Sequence, residues 1–190
     1  GPTFKYIQGN AILNGGEAIF DLHPSEFKGF HWNNSFGMVN AILMNQGDSS
    51  RYLPYMPPYR YHSEVRLEMR KQTAFIKNGF IKFGMDYFFE QNKYYIKFGN
   101  ETMTPEYKLF NVGVGADLVG KKGTWATLYI GVNNLTDVAY QSSMSRLKYA
   151  DPNNVTGRVG VYNMGRNVSV KLIIPIDVIV KVERREKKNG

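Results

Sequence analysis

The 190-residue sequence contains no cysteine, which excludes a disulfide framework, a thiolate metal site and a cysteine nucleophile. Nor does any stretch approach the roughly 18 consecutive apolar residues of a transmembrane helix. The opening residues Gly1-Pro2-Thr3-Phe4-Lys5-Tyr6 lack the apolar segment of a signal peptide. Gly1-Pro2 has the look of a pair left by a processing protease, and the other end closes on the charged run 183–188; both ends are set aside from fold reasoning. Gly-x-Ser-x-Gly, His-Glu-x-x-His and the ordered residues of a catalytic triad are all missing. The expectation is therefore that the chain is not an enzyme, and no cofactor is implied.

Partial motifs resolve the same way. Residues 115–121 match seven positions of a phosphate-binding loop, but Lys122 stands where Ser or Thr would hold magnesium and a strand pattern follows in place of a helix. His62 and Glu64 share a strand face and could ligate a metal, yet they read better as an ordinary polar pair among arginines. The net charge of +8 raises nucleic-acid binding. Its distribution argues against that, because Arg60, Arg66, Arg70 and Lys82 alternate with Glu64, Glu68, Asp86 and Glu90 on one face, where pairing neutralises them.

What the chain does have is 13 Tyr, 12 Phe and 19 Gly, arranged with a period of two. From 59 to 71, Tyr59, Tyr61, Val65, Leu67 and Met69 fall on one parity, and Arg60, His62, Glu64, Arg66, Glu68 and Arg70 on the other. That is a strand with one apolar face. The pattern recurs over 30–45, 80–90, 109–119, 125–133 and 167–174, and more loosely in a first strand ending near His23. Seven strands and no convincing helix result. The connections alternate in length: short at 24–28, 71–78 and 120–123, long at 46–58, 92–108 and 136–160. An up-and-down antiparallel meander would gather all the turns at one end and all the long loops at the other.

Nothing in the sequence supplies a layer to cover seven apolar strand faces. The reading is an all-β antiparallel up-and-down meander of 7–8 strands, a segment of a transmembrane β-barrel, with Phe30, Trp32, Tyr59, Tyr61 and Trp125 suited to interfacial girdles. A soluble β-sandwich stays open as an alternative. So does a self-contained eight-stranded barrel, acting as an adhesin or structural protein, in which residues 178–183 supply the last strand.

Several phrases carry a resemblance to a family. They are residues 7–18 (IQGNAILNGGEA), 21–24 (DLHP), 52–60 (YLPYMPPYR), 131–140 (GVNNLTDVAY) and 162–167 (YNMGRN). Together, in that order, they resemble the closing strands of TonB-dependent outer-membrane receptors. The resemblance implies that residues 3–176 are the C-terminal part of such a receptor barrel, with 177–190 a charged tail or short extra strand. It further implies import of a scarce solute (a metal chelate, vitamin or glycan) across the outer membrane of a Gram-negative bacterium. Partners would be outer-membrane lipid, the remaining plug and upstream barrel strands, and through these the TonB system, with no nucleic acid; open sheet edges could also self-associate. Ligand is expected at the long loops, on Arg51, Tyr52, Tyr55, Tyr94, Tyr95 and Arg146, since aromatic faces stack on rings and arginine clamps anions.

Overall fold

Alternating β-branched, aromatic and charged residues favour extended backbone in which successive side chains stand on opposite faces. The computed structural model, which describes residues 9–97, 101–121 and 123–176, contains seven such strands: β1 (Ala11–Leu22), β2 (Phe30–Leu43), β3 (Arg60–Glu68), β4 (Ile76–Phe88), β5 (Tyr107–Gly120), β6 (Gly123–Asn133) and β7 (Asn167–Ile173). They form one sheet in sequence order, every pair antiparallel. Among the described residues, the 3-10 helices Asp48–Ser50 and Arg146–Tyr149 sit in the long loops. The eighth strand anticipated at 178–183 lies outside the described residues.

The register shows which side chains share a face. One row runs Phe30, Leu67, Ile81, Val114, Ile130, Val170, and the next runs Leu22, Trp32, Val65, Phe83, Val112, Val132, Val168. Among the described residues no second layer covers them: Leu67, Met69 and Phe83 are each nearly half exposed, and the only buried hydrophobic residues are Ala41 and Ala126. A water-soluble domain of this length needs a far larger apolar interior to offset chain entropy. This sheet has put its apolar surface outside.

The opposite face carries the charge. Arg60 pairs with Asp86 at 2.6 Å, Lys82 with Glu64 at 2.9 Å and Arg66 with Glu68 at 3.2 Å. His62 Nδ1 lies 2.9 Å from Asp86, so His62 bonds Asp86 while Glu64 serves the Lys82 pair, and the two do not converge as metal ligands. Arg70 and Glu90 do not join these pairs. Both lie past the ends of their strands, where the alternation no longer fixes orientation. The Arg66 guanidinium caps the Phe80 ring at 3.9 Å, and Phe80 stacks on Tyr129. Gly113 and Gly115 make room for those rings, since a Cβ at Gly115 would stand 2.7 Å from Phe80. Residues 115–120 are the end of β5, as the strand-and-turn reading requires. In β1 the segregation is weaker: Leu13 and Ile19 are exposed and share the charged face.

One turn is shorter than the sequence suggests. The connection read as 71–78 gives way to strand at Ile76, because β4 contains an irregularity between Lys77 and Phe80, with Asn78 at φ 51°. A bulge of this kind breaks the period of two. The girdle residues also divide: Phe30 and Trp32 stand at the turn end, and Tyr59 and Tyr61 at the loop end. Trp125, on the other parity, lies beside the 120–123 turn.

Candidate functional site

The three long connections, 44–59, 89–106 and 134–166, emerge at the same end of the sheet and are tied to one another. In the first, backbone bonds from Leu43 N–H to the Arg51 carbonyl (2.7 Å) and from Leu53 N–H to the Ala41 carbonyl (3.3 Å) fold residues 51–53 back along β2. Tyr55 then turns the chain at φ 58°. In the second loop, Gln91 and Thr104 exchange backbone bonds, and Gln91 Nε2 donates to the Met56 carbonyl of the first loop at 2.8 Å. The third loop leaves β6 through Asn134, at φ 51°, whose side chain bonds both the carbonyl and the N–H of Val138. It returns to β7 through Arg166, whose N–H donates to Asp137 at 2.7 Å and whose Nε donates to the Leu135 carbonyl at 2.9 Å.

Two buried charges form the centre of this arrangement. Glu101 is 6% exposed; its carboxylate accepts the backbone N–H of Tyr55 from the first loop and that of Tyr95 from its own loop, the latter at 2.9 Å. Lys148, on the short helix of the third loop, is 8% exposed and donates to the Thr102 carbonyl, the Met103 carbonyl and Thr104 Oγ1 at 3.1, 2.7 and 2.8 Å. Burial pulls the Lys148 ammonium below the ordinary lysine value, and the Glu101 charge opposes that pull. Thr102 N–H adds a bond to the Tyr149 hydroxyl at 3.1 Å. A hub of this kind holds all three loops in one arrangement, because any partner left alone would be a buried unpaired polar group.

Of the six residues expected to meet ligand, the structure brings three to the hub. Arg146 lies over the Tyr55 ring at 5.1 Å, and Tyr55 and Tyr95 hang by their amides from Glu101. The guanidinium is exposed, so it can offer hydrogen-bond donors to an anion while resting on an aromatic face. Tyr52 pairs with Ile42 and lines a separate crevice with Tyr59 and Lys93. There Lys93 Nζ donates to the Tyr59 hydroxyl at 3.0 Å, a bond that holds this phenol below its ordinary value. Arg51 is exposed and contributes its carbonyl, and Tyr94 is not drawn to the hub. Glu101, Lys148, Gln91 and Thr104 were not legible beforehand: loop charges without a period read as solvated decoration.

Below the hub, the loop carrying Ser142 and Met144 overhangs the charged face and encloses an open cavity of about 600 Å³. Its walls include Glu17, Arg60, Phe88 and Tyr107, with Phe88 stacked on Tyr107 and Tyr107 on Tyr140 at centroid distances of 4.6 and 4.5 Å. Among the described residues, no group of three or more His, Asp or Glu side chains is placed to hold a metal ion.

No protein-family model matches the sequence, and no curated protein does either. Among solved structures, the copper transporter OprC is similar in fold, with a TM-score of 0.67 at 16% identity over 87% of this chain and 24% of that one. The chain thus spans under a quarter of that transporter's length, and the likeness is one of fold.

Proposed function

We propose that the chain is a wall segment, from the C-terminal part, of a TonB-dependent outer-membrane receptor that imports a scarce solute such as a metal chelate, vitamin or glycan. The observation that carries this reading is the inverted sheet: apolar side chains are uncovered on one face, ion pairs line the other, and long loops gather at a single end. Lipid against the first face and a lumen against the second satisfy both. The phrases resembling TonB-dependent receptors agree with it, and so does the likeness of fold to a transporter. On this reading the loop hub presents Tyr55 and Arg146 to incoming solute, and the cavity beneath marks the way along the lumen wall. The work is binding and passage, not bond-making chemistry.

The absence of cysteine allows a direct test, because single cysteines can be introduced into the full chain, within its receptor where it has one, in outer-membrane vesicles. Positions 67, 83 and 112 should resist a water-soluble thiol reagent and be quenched by lipid-borne spin labels; 64, 82 and 111 should behave in the opposite way. Uptake of labelled chelates, vitamins and oligosaccharides by intact cells should then stop on deletion of the gene or on addition of an uncoupler. Equal labelling of both faces, or uptake indifferent to deletion, overturns the reading.

A further inference from the structure

The short turns at the other end are chemically unlike the loops. Residues 23–29, 69–75 and 121 carry Lys28, Arg70, Lys71 and Lys121 against the single carboxylate of Glu26. All four cations are exposed, and none has a carboxylate within 4.0 Å among the described residues. Lys77, just inside β4, pairs in register with Asp117 and so stands on the charged face, apart from this group; the Asp117 carboxylate is occupied by Asn78 and Thr127. The nearby Glu68 is held by Arg66 at 3.2 Å. Apolar side chains project from the same turns: Phe75 is 76% exposed and Phe27 67%.

Directly inside this rim, on the apolar face, lies a hollow of about 470 Å³. It opens where β4 is irregular after Lys77, and its floor includes Ile81, Val114, Leu128 and Ile130, with Leu67 and Met69 at the side. Gly79 keeps it open, for a Cβ there would lie 2.3 Å from Met69 Sδ. Arg70 and Lys71 follow Met69 in sequence, so cationic turn residues border an apolar slot.

We propose that this end of the sheet binds an anionic phospholipid, with an acyl chain in the hollow and the headgroup phosphate against Arg70 and Lys71. The inference rests on the reading of the apolar face as lipid-facing. Cations beside an acidic protein or a polyanion would need no apolar slot next to them, and an apolar slot for a neutral lipid would need no cations. Lysine and arginine stems reach along apolar surface while their heads stay at headgroup level, and each basic residue there raises affinity for anionic lipid about fivefold.

Trp32, the third residue of β2, stands on the apolar face at this end. Its fluorescence therefore reports on the lipid beside it. The full chain is folded into phosphatidylcholine vesicles doped with brominated phosphatidylglycerol, or with brominated phosphatidylcholine, and quenching is compared. Phosphatidylglycerol should quench at a mole fraction at least fivefold lower, and 1 M salt should erase most of that preference. In the combined variant Arg70→Gln, Lys71→Gln the preference should fall toward unity with phosphatidylcholine quenching unchanged. Ala116→Phe, which fills the hollow, should weaken quenching by both lipids. An equal response to the two lipids in the parent chain, or a preference that survives the double variant, overturns the site. If neither lipid quenches, the lipid-facing reading itself has failed.

Discussion

At the turn end, strands pass into one another through connections whose side chains point outward and bond little. At the loop end, residues 44–46 positions apart are joined through the ammonium of Lys148 and the carboxylate of Glu101. Cations are spent differently in the two places. Lys148 is buried among carbonyls and Arg146 lies on a ring, whereas Lys28, Arg70, Lys71 and Lys121 are uncommitted. The contrast teaches that the net positive charge has two separate roles: at one end it fixes a shape, and at the other it sets a surface potential.

Substitutions can sharpen or break that contrast. Lys148→Ala leaves two carbonyls and a hydroxyl without their donor and should cost about 2–3 kcal/mol of local stability. Amide hydrogen exchange at Gln91 and Thr104 should accelerate roughly 30- to 160-fold while mid-strand amides of β4 and β5 keep their protection. Next comes Gly160→Ala. Gly160 has φ 73°, and a Cβ there would lie 2.2 Å from the Lys148 carbonyl. A loss of about 1–3 kcal/mol is expected in denaturant unfolding, with the third loop becoming sensitive to protease. Asp137→Ala removes the acceptor of the Arg166 N–H and should cost about 1 kcal/mol, seen as faster exchange at Arg166. Lys28→Gln, at the turn end, should change stability by no more than about 0.5 kcal/mol. A destabilisation above 1 kcal/mol there would mean that the turn cations are structural, and the contrast would fall.

The strands were readable because each carries its own evidence. In β3, Val65 and Leu67 against Arg66 and Glu68 state the face of every residue from a few positions of local sequence. Where local sequence misleads, a particular residue is responsible: Asn78 at positive φ shifts the register of β4, so the turn expected over 71–78 ends earlier, at Ile76. Among the site residues, Tyr55, Tyr95 and Arg146 were reachable from residue type and loop position. Glu101 and Lys148 were not, because their partners are backbone groups of other loops, and a carbonyl oxygen leaves no signature in sequence.

By itself the sequence determined the period of two, hence seven strands with one greasy and one charged face, and the alternation of short and long connections that sorts the ends. Only the tertiary structure decided how the loops close on one another, where the charged face becomes a cavity, and that a bulge opens a hollow beside cationic turns. The physical reason is range. Strand alternation is set between neighbouring residues, whereas the loop hub and the hollow join groups that meet only after the sheet has brought distant segments to a common edge.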